Sequence, residues 1–385
     1  MVVAVASERS SPDRFRLSAA AATPLAQAIA KRIRDEGPLT FAAFMEAALY
    51  DEPLGYYRRD APTVGRDGDY LTSAEVHPLF SYAVAALAAH LWEISGREDS
   101  FVLREVGPGT GSLVEGIAAW AAARRPDFAA ALRFELVEPS PATAKRQRRR
   151  LAPLGERVSW LDDLRTPLEG LLFANELLDA QPVHRLRWRQ ERWEELYVSL
   201  DESGGFADHG GVPSCESLLA PLATVAPREG QVVEVSPAVS QIVATLADSL
   251  DRGLLLLLDY GYERERLYAP WRREGTLLTY YRHTPGSDPY VRIGEQDMSC
   301  HIDIDAVAAA ARARGLRPLP VRTQAQFLSE LGATGSPDLR AREAALEAEL
   351  SRRRAVEVLT DPTGLGRIRV MAFSRGLERM PEGLQ

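Results

Sequence analysis

The chain has 385 residues and carries 54 acidic against 46 basic side chains, a net charge of −8 that argues against wholesale affinity for nucleic acid. Its 45% hydrophobic and 26% charged residues suit a soluble globular protein large enough for one big α/β domain with insertions, or for two domains. The longest run of large aliphatics, Leu254–Leu258, is strand-sized, so no membrane insertion is expected. Cys215 and Cys300 lie far apart without a C-x-x-C, and the six histidines show no metal-ligand spacing. That pattern argues against a disulfide framework and a zinc site, no metal is expected, and the cytoplasm is the expected location.

In chain order, residues 1–22 read as a disordered tail. Thr23-Pro24 caps a helix running to Arg34, and Gly37-Pro38 breaks it. Thr40 caps a second helix, Phe41–Leu49, before an aromatic, Gly/Pro-punctuated loop from Asp51 to Tyr70. Val76–Ser95 reads as a long apolar helix. Strand and helix then alternate: strands at Phe101–Val106, Arg133–Glu138, Val158–Trp160 and Leu171–Ala174, with helices at Ser112–Arg124 and Ala142–Leu151. The basic run Lys145–Arg150 is expected to be a solvated helix face.

Val183–Leu200 reads as a hairpin turning at Arg189-Gln190-Glu191, with Trp188 and Trp193 near the turn. Asp201–Pro213 is expected to be a loop, Val232–Val235 a strand and Pro237–Ser249 a helix. Leu254–Asp259 reads as a central parallel strand buried on both faces. The remaining third predicts a strand near Thr276–Tyr281, a helix Ile304–Arg314, a strand Arg317–Val321, a charged helix from about Asp338 to Val356 and a last strand Arg367–Phe373. The fold class is therefore α/β, a doubly wound Rossmann-like sheet, with ligands bound beyond the carboxyl ends of its strands.

The first strand runs into Glu105-Val-Gly107-Pro-Gly109-Thr-Gly111. A phosphate-cradling turn has no use for a fixed carboxylate, and G-x-G-x-G also misses the dinucleotide spacing G-x-G-x-x-G. An acid there suits a cationic cofactor, which points to S-adenosylmethionine (SAM), with S-adenosylhomocysteine as product, over NAD or ATP. Glu138, ending the second strand, lies where a ribose-binding carboxylate belongs. Trp160 and Asp163, after the third strand, are candidates for stacking on and hydrogen-bonding an adenine.

After the fourth strand comes Asn175-Glu176-Leu177-Leu178-Asp179. Glu176 and Asp179 are suited to grip a cationic or amine nucleophile in an in-line displacement, the alternative being that Asn175 and Asp179 cap a short helix. Gly68–Glu75 precedes the long helix, and Thr72 with Glu75 fits a capping pattern. The cluster Asp297–Asp303, with His301, either reaches the same cleft or forms a turn and a helix cap.

Together, Gly37–Met45, Gly55–Tyr57, Gly68–Glu75, Glu105–Leu113, Asn175–His184, Asp259–Gly261 and Asp297–Asp303 resemble one family, the MidA-like (DUF185) methyltransferases, over roughly residues 25–375. That family includes a mitochondrial arginine methyltransferase that assists respiratory complex I assembly. The resemblance implies a seven-stranded SAM-dependent methyltransferase sheet with N-terminal helices and helical and β insertions. It implies a lid at 68–75 in which Thr72, Ser73 and Glu75 join Glu105, Gly107, Gly109, Gly111, Glu138, Trp160, Asp163 and Asn175 around the cofactor. It also implies that Glu176 grips an arginine guanidinium of a protein substrate. Ala74 stands where the family usually has Pro, and Thr110 where it more commonly has Arg.

The expected organisation is an N-terminal helical and lid region at 23–96 and a SAM-binding core at 97–262 carrying a β-hairpin insertion near 183–230. An insertion and sheet-completing strands at 263–375 and a tail at 376–385 follow. The other functions open to this fold are a small-molecule N- or O-methyltransferase and a largely non-catalytic assembly factor, and a homodimer is possible.

Overall fold

The computed structural model describes residues 23–65, 68–332, 346–381 and 383–384, so the expected tail at 1–22 and the start of the charged helix lie outside the described residues. The chain divides into two compact units, each assembled from three separated segments. The first comprises 23–59, 180–237 and 268–300, and the second 60–179, 238–267 and 301–384. The cut after Arg59 falls inside the region expected to be one N-terminal piece.

The second unit is a twisted sheet whose strands run, in spatial order, Arg317–Pro318, Arg369–Arg375, Leu250–Asp259, Leu168–Asn175, Phe101–Val106, Leu132–Val137 and Val158–Leu161. Five strands are parallel, while Arg369–Arg375 is antiparallel to Leu250–Asp259. The expected strand Arg317–Val321 is instead two dipeptides, Arg317–Pro318 and Arg322–Thr323, both on Arg369–Arg375. Pro318 and Pro320 carry no N–H to extend a ladder.

The five leucines show why this sheet needs helices on both sides. Leu254, Leu256 and Leu258 enter the core under helices Pro78–Ile94 and Ser112–Arg124, whereas Leu255 and Leu257 enter the core under Pro237–Ser249 and Ile304–Ala313. A strand alternates its side chains, so an all-leucine run is stable only when both faces are covered. The two helices of the first core touch closely: a Cβ on Gly116 would lie 2.5 Å from Ser81 Cβ.

The first unit holds helices Pro24–Glu36 and Phe41–Tyr50, capped as expected by Thr23 and Thr40, whose side chains accept from the Ala26 and Ala43 amides. Its larger sheet contains Leu39–Thr40, Arg192–Leu200, His184–Arg189 and Val232–Val235. The hairpin turns at Gln190-Glu191, both with positive φ (50° and 60°), and Trp188 packs edge-on against Trp193 at 5.3 Å. Phe206–Gly211, expected within a loop, is a strand paired with Arg192–Leu200. Asp201 makes the reversal: its Oδ1 accepts from the Ser203 and Gly205 amides. A smaller sheet of Leu278–Tyr281, Thr284–Gly286 and Asp297–Ser299 completes the unit.

Candidate cofactor and transfer site

The glycine turn leaves the carboxyl end of Phe101–Val106, the strand between Leu132–Val137 and Leu168–Asn175. The Gly107 amide donates to Val137 O at 3.0 Å, which fastens the turn to the neighbouring strand. Gly107, Gly109 and Gly111 have φ of 70°, 52° and 81°, a region that side chains disfavour. A Cβ on Gly109 would meet no heavy atom within 4 Å, so the turn presents bare backbone to open space.

Glu105 is buried just behind this turn, and its Oε2 has no hydrogen-bond partner. Burial, reinforced by the neighbouring Glu138 carboxylate, pushes its pKa up to about 8. Glu138 is supplied with donors: Oε1 accepts from the Ser140 amide at 2.9 Å and Oε2 from Gln147 Nε2 at 3.0 Å. Glu138 thus has both oxygens met by donors, whereas burial favours the protonated form of Glu105.

Gln147 was hidden inside the basic run. Arg146 pairs with Asp60 and Arg150 with Glu115, as a solvated face would, but Gln147 is fully buried. Its Nε2 also donates to Gly109 O at 2.8 Å, and its Oε1 accepts from Trp160 Nε1 at 3.0 Å. The Arg148 guanidinium covers one face of Trp160, 4.3 Å from the ring centroid. Asp163 is exposed and turned back on Arg165, taking its amide at 2.9 Å and its guanidinium at 2.9 Å.

Ser73–Val76 forms a single helical turn. The capping pattern expected of Thr72 and Glu75 is not made: the Thr72 side chain accepts no capping bond, and the Glu75 carboxylate instead takes the Thr110 hydroxyl of the glycine turn. Arg150 donates to that same hydroxyl at 3.0 Å, so Thr110 joins the segment around Ser73–Val76 to the turn. Ser73 is fully buried and donates to Gln324 Oε1 at 2.7 Å.

No helix follows Asn175, so neither Asn175 nor Asp179 caps one. The turn hangs on Asp259 at the end of the adjacent strand. Asp259 Oδ2 accepts from Leu178 and Asp179 amides at 2.7 and 3.3 Å, and Oδ1 from the Tyr260 amide at 2.8 Å. Burial pushes the Asp259 pKa up to about 7 against the opposing pull of these amides. Glu176 sits at φ 50°, donates its amide to Leu258 O at 2.8 Å, and accepts from Asn175 Nδ2 at 2.9 Å. Asn175 Oδ1 is buried without a hydrogen-bond partner. The sequence cluster at 297–303 is divided: Asp297 accepts from Tyr57 in the first unit, while in the second His301 packs on Tyr260 and Tyr262 and Asp303 caps Ile304–Ala313.

Two buried oxygens without donors, Glu105 Oε2 and Asn175 Oδ1, thus stand near the ends of adjacent strands, where Glu105 is in register with Phe173. Two buried acceptors lacking donors, one of them on an acid, beside an open glycine turn fit a ligand bearing an ammonium and a sulfonium better than a phosphate. Among the described residues no group of three metal-ligating side chains occurs.

Residues 83–321 match the model of a family described as "Putative S-adenosyl-L-methionine-dependent methyltransferase". The chain belongs to this family. A protein of Burkholderia thailandensis crystallised with S-adenosyl-homocysteine is 32% identical, covers 93% of this chain and 94% of its own, and superposes with a TM-score of 0.86. Curated relatives are the protein arginine methyltransferase NDUFAF7 homolog of Drosophila melanogaster and NDUFAF7 of Mus musculus. The first is 26% identical over 92% of this chain and 85% of its own length, the second 27% identical over 80% and 74%.

The chain is thus a SAM-dependent methyltransferase. In this methyltransferase the sequence motifs exposed the acids and glycines, Asp259 among them though without its bonds to the turn after Asn175, and missed Gln147. Asp259 carried a signal, an acid ending an apolar strand. Gln147 carried none, because its neighbours mark the helix as solvated.

Proposed function

We propose that the enzyme transfers a methyl group to an arginine side chain of a protein. SAM, when bound, supplies an electrophilic methyl on a sulfonium. Glu105, Glu138, Trp160, Asn175, the turn Gly107–Gly111 and the lid residue Glu75 are the groups proposed to hold it, with Thr72 at the lid's edge. Ser73 and Asp163, given their bonds to Gln324 and Arg165, act on the site through the backbone they fix.

The observation that carries the arginine reading is Glu176. Its backbone is pinned in a left-handed conformation at the tip of the strand beside the glycine-turn strand, anchored by Leu258 O and by Asn175. A guanidinium is protonated below about pH 12 and must be gripped by carboxylates that aim one nitrogen at the methyl group. Glu176, with Asp179 three residues on, offers that grip, and the names of the relatives accord with it. We propose the cytoplasm as its location, a reading that rests on the sequence alone, with two widely spaced cysteines and no C-x-x-C.

The test is methyl incorporation from labelled SAM into proteins of cells lacking the gene, followed by mass spectrometry. ω-Methylarginine that disappears with Glu176→Ala is the expected result. Methylation of another atom, or of a free metabolite alone, refutes the arginine assignment.

A further inference from the structure

We propose that Gln147 is a positioning residue for the cofactor, binding the glycine turn, the Glu138 carboxylate and the Trp160 indole into one preset surface. The orientation of its amide is dictated by chemistry. The Trp160 ring nitrogen can only donate, so the Gln147 oxygen must face it at 3.0 Å. Both hydrogens of Nε2 are then left for acceptors, and two acceptors are present: Gly109 O at 2.8 Å and Glu138 Oε2 at 3.0 Å. All three bonds are made by one fully buried side chain, from three chain segments that meet nowhere else in sequence.

The arrangement is demanding. A buried amide in this place is favourable only while every partner stays in position, since each lost bond strands a polar group out of water. Gly109 cannot rotate its carbonyl, Glu138 cannot swing away and Trp160 cannot flip without breaking the set. The helix Pro141–Arg150 that carries Gln147 is fixed at its start, where the Ser140 hydroxyl accepts from the Thr143 amide and the Ser140 amide donates to Glu138. Two donors from one helix and its cap therefore converge on the same carboxylate. Glu138 is presented as an oriented acceptor before any cofactor arrives, which lowers the ordering cost of binding.

This inference rests on the assignment of Glu138 and Trp160 to the cofactor pocket, and the experiment separates the two. S-adenosylhomocysteine is titrated calorimetrically against the full chain and against Gln147→Glu, Gln147→Leu, Trp160→Phe and Glu138→Ala at pH 6 and pH 8. Gln147→Glu keeps the shape but, once ionised, loses both donors. It is expected to weaken binding about tenfold or more at pH 8 and to recover in part at pH 6, where a protonated carboxyl donates again. Gln147→Leu loses affinity equally at both pH values, and Trp160→Phe, which leaves the helix untouched, loses less than either. A loss that falls on kcat while the KM for SAM stays constant overturns the positioning role, as does parental affinity in both Gln147 variants while Glu138→Ala binds weakly. If a Gln147 variant does not fold, Trp160→Phe decides: unchanged affinity there counts against the proposal. Unchanged affinity in Glu138→Ala removes the pocket assignment itself.

Discussion

Asp259 carries the Leu178 amide on its Oδ2 at 2.7 Å, across two neighbouring strands and 81 residues of chain. Through that bond and the one from Asp179, the end of the five-leucine strand shapes the turn that presents Glu176. Asp259 thus holds the backbone of that turn from the neighbouring strand.

Replacing Asp259 by Ala leaves the Leu178, Asp179 and Tyr260 amides without their acceptor. Each buried orphan costs about 1–3 kcal/mol, so a stability loss of about 3 kcal/mol or more is expected in urea unfolding. Asp259→Asn keeps one acceptor oxygen and should cost less. In both, methyl transfer should fall further than S-adenosylhomocysteine affinity, because the displaced turn carries Glu176.

The pH dependence of the cofactor-free protein follows from Glu105. Its folded pKa, about 8, lies above the ordinary 4.5, so the stability it contributes is complete below the ordinary value and is lost as pH rises through about 8. Asp259, raised to about 7, acts with the same sign. The unfolding midpoint should therefore fall between about pH 5 and pH 9, and Glu105→Gln should remove part of that fall. A cationic ligand favours the ionised acid, so SAM binding near pH 7 should release a proton. Calorimetry in buffers of different ionisation enthalpy measures it, and Glu105→Gln should abolish the release.

Glu176→Gly is expected to separate function from stability. At φ 50° a glycine is unstrained, so the unfolding free energy should hold or rise by about 0.5–1 kcal/mol. S-adenosylhomocysteine affinity should stay within about twofold, while transfer to the acceptor falls by about two orders of magnitude. A variant that keeps full transfer would disprove the assignment of Glu176.

Arg104 supplies a stability test away from the site. It is 1% exposed, in the strand that leads to Glu105, and its guanidinium is held by Glu135 at 2.6 and 2.8 Å and by Thr166 O at 2.7 Å. Glu135→Ala strands a buried cation and should cost about 3 kcal/mol, whereas Arg104→Met removes the charge as well and should cost less. Chemical denaturation of the two variants gives the comparison directly.

Local pattern determined a great deal here. Alternation and apolar runs place the strands Phe101–Val106, Leu132–Val137 and Leu250–Asp259 and the helix Ser112–Arg124 within a few residues of their observed ends, because burial on a sheet depends on side-chain period. The glycine turn and the acids Glu105, Glu138 and Glu176 were legible for a related reason: chemistry at strand ends is written in short contiguous motifs. Phe206–Gly211 was not legible, since Asp208, His209 and two glycines have little strand preference and become a strand only by pairing with Arg192–Leu200.

Nor did sequence determine the two interleaved units, each closed by segments more than a hundred residues apart. Tertiary structure alone gave the two acids different surroundings: donors meet both oxygens of Glu138, whereas Glu105 is buried with Oε2 unpaired, which raises its pKa. It also decided that Gln147, one polar residue among five basic ones, is the buried member that meets three partners at once. Hydrogen-bond partners drawn from distant segments leave no periodic trace in the chain, and so they become visible only once the chain has folded.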